Sequence, residues 1–137
     1  MSPAQPGRYL LDTNAASAIL RQREPICARA ASVPLASLAI SSVTAGEMHY
    51  GLAKRPQATA LARLVREFMR YADILPWNDD VAPHYGTLRA ALESRGVTIA
   101  PLDLMIAAHA LAIDAVLVSS DQTLSMIDIL KVEDWSA

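Results

Sequence analysis

The 137 residues predict an α/β protein built on a mostly parallel sheet covered on both faces. Three observations carry that expectation. Short apolar runs of strand type alternate with segments of helical periodicity along the chain. No tight hairpin signal joins two such runs. The first run, Tyr9-Leu10-Leu11, stops at Asp12 and passes into Thr13 and Asn14, which are helix-capping residues.

The elements follow in order. After the first strand, Ala15 to Arg23 reads as a helix, and Pro25 opens a second through Ala31. Val33-Pro34 breaks it, and Leu35 to Ile40 is the second strand. Ser41, Ser42 and Thr44 then cap a helix from Val43 to Lys54, with Ala45, Met48, His49 and Leu52 on its apolar face and Glu47 pointing elsewhere. Gln57 to Tyr71 is amphipathic: Leu61, Leu64, Val65, Phe68 and Met69 oppose Arg63, Arg66 and Arg70. The apolar stripes of these two helices suggest a homodimer. Ile74-Leu75-Pro76 is a brief third strand. Asp79 or Asp80 should cap a helix to Ser94, with Pro83 in its first turn and Gly96 as its stop. Asp103 should open a helix from Leu104 to Ala112. Ala115 to Ser119 is the fourth strand, ending at Asp121. A short helix and a strand near Leu130 to Val132 complete the chain.

Residues 8–137 are expected to form one domain, behind a loose tail over residues 1–7. Hydrophobic residues make up 53% of the chain and aromatics only 5%, so the core is aliphatic. Cys27 is the single cysteine, which removes intrachain disulfides and cysteine metal clusters and fits a reducing cytoplasm. The first seven residues have no apolar h-region, and the run from Leu104 to Val118 is too short to span a bilayer. A soluble protein is expected. Residues 1–72 carry nine Lys and Arg against four Asp and Glu, whereas residues 73–137 carry three against ten. A solvated helix face explains this, and so does a basic surface guiding a polyanion toward an acidic pocket.

Four acids stand out. Asp12 and Asp121 end strands, Asp103 begins a helix, and Glu47 lies about a turn into the helix after strand two. Singly, each aspartate reads as an N-cap, a role that contributes ~0.5–2 kcal/mol. Glu47 reads as an exposed helix carboxylate. Jointly, a parallel topology brings them to one sheet edge, where α/β proteins bind ligands. Clustered carboxylates need a cation, and an all-oxygen set favours Mg²⁺ or Mn²⁺ over Zn²⁺. Other chemistries lack their residues: the chain has no phosphate loop, no dinucleotide glycine motif, no H-E-x-x-H and no serine elbow.

R-Y-L-L-D-T-N, S-S-V-T-A-G-E-M-H-Y-G-L, I-A-P-L-D-L-M-I-A-A-H-A-L-A and V-L-V-S-S-D, with L-K-V-E-D-W at the end, resemble a PIN-domain ribonuclease toxin of the VapC type. The resemblance covers essentially the whole chain. It implies a three-layer α/β/α fold with four to five strands, a Mg²⁺- or Mn²⁺-dependent endoribonuclease, and a cognate VapB antitoxin through which any DNA contact would be made. By motif, the catalytic and metal-binding acids are Asp12, Glu47, Asp103 and Asp121, with Asn14, Thr44 and Ser119 beside them. Structured RNA such as tRNA or rRNA is the implied substrate. Ser120 and Leu124 depart from the family's T-N-D or T-N-N before an aromatic, so contacts around Asp121 should differ. A non-catalytic RNA- or partner-binding module and a DNA-directed nuclease are the competing readings.

Overall fold

The first strand takes the centre of the sheet. In the computed structural model, which describes residues 7–136, five parallel strands run in the order β3-β2-β1-β4-β5. They are β1 Tyr9–Leu11, β2 Leu38–Ser41, β3 Asp73–Leu75, β4 Val116–Val118 and β5 Val132–Glu133. The helices are α1 Thr13–Leu20, α2 Ile26–Ala31, α3 Ser42–Ala53, α4 Thr59–Tyr71, α5 Ala82–Ser94 and α6 Pro101–Ala112. Apart from Gly7, the tail expected over residues 1–7 lies outside the described residues.

Alternation along the strands divides the core in two. Leu10, Ala39 and Leu117 face α5 and α6, while Leu11, Ile40 and Val118 face α1 to α4. The result is a three-layer α/β/α arrangement with a fully parallel sheet. The α6 helix is apolar nearly all round, as a helix buried between neighbours must be, with Ile106, Ala107, Ala108 and Ala110 at most 1% exposed. Among the described residues, no helix is long and apolar enough to cross a membrane.

Several expected boundaries move, each for a local reason. Leu35–Ser37 forms a 3-10 turn instead of the start of β2, because the Ser37 N–H and hydroxyl both donate to the Pro34 carbonyl. The helix α5 has no side-chain cap from Asp79 or Asp80; Asn78 organises that turn, its side chain accepting from the Asp80 N–H. Gly96 does end α5, at φ +72, with the Val97 N–H returning to Leu92. His49 is exposed, not on the apolar face of α3, since burial follows Thr44, Ala45 and Met48. Met48 and Val65 are buried, and Leu52, Leu61 and Phe68 pack against the same core. Those stripes cover the sheet, with Leu52, Leu61 and Phe68 left half-buried.

Candidate active site

The strand order reverses at the centre: the chain winds outward from β1 through β2 to β3, then returns to place β4 on β1's other side. That reversal opens a crevice at the C-terminal ends of β1 and β4, where α/β sheets bind ligands. Leu11 lies in register with Ile40 and Val118, so Asp12, Ser41 and Ser119 follow side by side along this edge.

Asp12 is the N-cap of α1. Its Oδ1 accepts the Ala15 N–H at 2.7 Å, and its side chain is buried. Burial pushes this carboxyl above the usual range; the Ser119 hydroxyl and the Ala15 N–H pull it down, and Asp121 and Glu47 push it up. Asp121 also caps, accepting the Thr123 N–H at 2.9 Å and the Thr123 hydroxyl at 2.7 Å, while its own N–H donates to Ser119 Oγ at 3.0 Å. The plainer reading of these two acids therefore holds alongside any further role.

For Asp103 the capping reading fails. The N-cap of α6 is Ala100, because Pro101, with its fixed φ, starts the helix two residues before Asp103. Asp103 sits half-buried in the first turn, its carboxyl raised by burial and then by Asp121, Glu47 and Asp12. Glu47, also half-buried, is not a free surface acid. The Thr13 hydroxyl donates to its Oε1 at 2.5 Å, and Thr44 Oγ1 lies 3.4 Å from the same Thr13 oxygen.

The four acids thus feel one another's charge across one crevice, each delivered by a different element. Among the described residues, however, no three His, Cys, Asp or Glu side chains are gathered closely enough to hold an ion as they stand. The donor set fits a hard divalent cation: it is all oxygen, and the neighbouring acids help to raise the carboxyls of Asp12 and Asp103, a penalty that a cation would remove.

Of the flanking polar residues, Ser119 and Thr44 are buried beside the acids. Asn14 is exposed and lines a small cavity with Ser120 and Trp135, making no hydrogen bond to the acids among the described residues. Leu124 is 2% exposed in the core, so its departure from the family pattern alters packing and not the crevice. Sequence reasoning missed Thr13 and Thr123. The available signal was a hydroxyl one or two residues after a strand-ending aspartate, which the first turn directs back toward that edge.

A family model described as PIN domain matches residues 9–130. The chain belongs to the PIN-domain family. Among PIN-domain relatives, the Ribonuclease VapC2 of Rickettsia felis is 32% identical over 100 residues, covering 72% of this chain and 75% of that one. The tRNA(fMet)-specific endonuclease VapC of Shigella flexneri is 28% identical over 130 residues, 94% of this chain and 98% of that one. The solved structure of DNA-bound VapBC from Salmonella typhimurium superposes with a TM-score of 0.87 at 29% identity, covering 95% of this chain and 99% of that one. VapBC2 from Rickettsia felis, bound to a DNA fragment from its promoter, gives 0.85 at 28%, covering 93% and 98%.

Proposed function

We propose that this PIN domain is the ribonuclease toxin of a VapBC-type toxin–antitoxin system, an endoribonuclease that depends on Mg²⁺ or Mn²⁺ and works in the cytoplasm. The observation that carries the reading is the meeting of Asp12, Glu47, Asp103 and Asp121 at the sheet's switch point, with Asp12 and Asp103 held above their ordinary pKa range partly by the other acids.

The four acids would hold one or two divalent ions, which when bound acidify a water and neutralise charge developing on the phosphate. The chain's own groups prepare that site. Ala15, Thr13 and Thr123 each fix one carboxylate oxygen, on Asp12, Glu47 and Asp121 respectively, which sets the orientation of the other. Burial of Asp12 and Ser119 keeps bulk water from that side. Water as nucleophile leaves the RNA 2′-OH uninvolved, so 5′-phosphate and 3′-hydroxyl ends are expected. Arg63, Arg66 and Arg70 are exposed on α4 and, among the described residues, have no acidic partner, which suits steering of a polyanion. Structured RNA, tRNA or rRNA, is the proposed substrate class.

The inhibitor in this reading is a VapB-type antitoxin, since the structural neighbours from Rickettsia felis and Salmonella typhimurium are VapBC complexes. Any DNA contact is made through it. An apolar groove of about 800 Å³ between α1 and α4 offers it a seat, lined by Ile19, Leu20, Leu35, Leu64, Phe68 and Tyr71. Ile26, on the neighbouring α2, is buried in the core and does not line the groove. A basic side chain reaching from the groove into the acids would compete with the cation.

The test is cleavage of folded RNA by the purified chain in Mg²⁺, in EDTA, and by Asp103→Ala. Loss in EDTA and in the variant is expected. Cleavage that survives both overturns the reading, and cutting confined to DNA redirects it to a DNA nuclease.

A further inference from the structure

Two hydrogen-bonded links tie the start of α3 to α6 without touching the acids. Ser41 Oγ, capping α3, accepts the Val43 N–H at 3.1 Å and lies 2.8 Å from Nδ1 of His109 on α6. Next to it, Ser42 Oγ accepts the Trp77 N–H at 2.9 Å, and Trp77 Nε1–H donates to the Met105 carbonyl at 3.0 Å. The first link is the more deeply buried, with Ser41 0% and His109 1% exposed.

The proton positions in the first link follow from satisfaction. Ser41 Oγ already accepts from Val43, and its hydroxyl hydrogen has no other acceptor among the described residues. A buried hydroxyl left without an acceptor is costly, so Ser41 donates to Nδ1 and His109 is the neutral tautomer with its hydrogen on Nε2. Burial, which lowers the pKa of this ring, agrees with a neutral imidazole. The ring also lines a cavity of about 280 Å³ with Arg8, Asn78 and Asp80, where Nε2–H has room for a water. One hydroxyl therefore caps α3 and grips α6.

We propose that His109, acting through Ser41, is a positioning residue for the acids: this buried hydrogen bond fixes the register between α3, which carries Glu47, and α6, which carries Asp103. The proposal rests on the reading of those acids as the catalytic set. The physical ground is directionality. Apolar contacts between helices tolerate small slides, whereas a fully buried donor–acceptor pair has one arrangement that satisfies both groups. Glu47 lies four residues beyond Val43 and Asp103 six before His109, so a slide at this link is transmitted through rigid helix to both carboxylates. Displacements near 1 Å at a reacting centre can cost about 100-fold in rate.

The experiment compares wild type with His109→Leu, His109→Asn and Ser41→Ala, reading steady-state RNA cleavage, Mn²⁺ affinity by calorimetry and thermal melting. His109→Leu fills the space but accepts no hydrogen bond. A kcat lower by about ten- to a hundred-fold, an unchanged KM and weakened Mn²⁺ binding are expected of it. His109→Asn, whose amide oxygen stands near the position of Nδ1, should recover most of both. Ser41→Ala in the His109→Leu background should lower kcat no further. Equal kcat in the Leu and Asn variants, or an effect on KM alone, overturns the proposal. Should His109→Leu not fold, Ser41→Ala decides, because wild-type kcat and Mn²⁺ affinity in that variant overturn it equally. A wild-type chain that binds no Mn²⁺ and cuts no RNA overturns the reading of the acids, and this inference with it.

Discussion

The two faces of the sheet are built from the same three central strands but finished differently. On one, Leu10, Ala39 and Leu117 lie under α5 and α6, and the alanines of α6 let that helix sit close against the strands. On the other, Leu11, Ile40 and Val118 lie under α1 to α4, and the layer stays parted. Leu35 is 75% exposed there, Tyr71 67% and Leu64 41%. Apolar surface is left in water where larger side chains and a 3-10 turn hold two helices apart. The closed face supplies stability and the open face a place to bind. The acids stand at the end of the sheet where both faces meet, so their arrangement depends on each.

The largest effect is expected at that meeting point. Asp12→Ala and Asp103→Ala should each remove RNA cleavage by more than the roughly 10–100-fold typical of deleting an outer hydrogen-bonding partner. Thr13→Val, which deletes the hydroxyl on Glu47, should fall within that smaller range. Initial rates on one RNA rank the three. If Thr13→Val proves as damaging as the aspartate variants, the division between holding and supporting groups is wrong.

The faces themselves separate by truncation. Leu117→Ala, at a position 0% exposed on the closed face, should cost about 2–5 kcal/mol in urea unfolding. Tyr71→Ala, at the open groove, should stay within about 0.5 kcal/mol. Their order should invert for antitoxin affinity, where Tyr71→Ala is expected to lose more than about 1 kcal/mol. Equal stability costs would mean that the groove is as much core as the closed face.

The basic edge of the open face gives a smaller effect. Arg63→Gln, Arg66→Gln and Arg70→Gln together should lower the salt dependence of RNA binding by a log–log slope of roughly 2, if each neutralises one phosphate of a single strand. Binding titrations at several salt concentrations read this, and an unchanged slope assigns the three arginines to solvent alone.

Most of the fold was readable because its signals are local. Strand runs ending in capping residues gave β1 and its passage into α1, and Gly96 marked the end of α5. Pro101 carries a helix-start signal as well, and it outranks Asp103, which lies within the helix and does not cap it. The open groove was not readable, since a stripe such as Leu61, Val65 and Phe68 looks the same whether a helix lies flat on a sheet or stands off it. The acids were legible as types and spacings. Their supports, Thr13 on Glu47 and Ser41 on His109, join residues 34 and 68 positions apart and come only from the tertiary structure.

The smallest effect tests whether the acids strain the fold that holds them. Asp103 lies in the first turn of α6, where a helix dipole favours a carboxylate by about 0.3–1 kcal/mol. Burial and three neighbouring acids oppose this, and the opposition prevails, because the carboxyl is held above its ordinary range. A native state that binds a proton more tightly than the unfolded chain loses stability as pH rises from the unfolded value near ~4 through the raised native one. In chelator at neutral pH, Asp103 and Asp12 therefore subtract from stability, and acidification through that window returns what they subtract. Asp103→Asn removes one share of the repulsion, so its Tm at pH 7 in EDTA should exceed that of wild type by a few degrees, given roughly 4–8 °C per kcal/mol for a chain near this size. The gap should close as pH falls toward ~4, where the wild-type carboxyl is protonated as well. Added Mn²⁺ should raise wild type more than the variant, because the ion repays the repulsion only where the carboxylate remains. An Asp103→Asn protein that melts below wild type in EDTA would mean that the dipole outweighs the cluster, and that the acids are too far apart to act on a common ion.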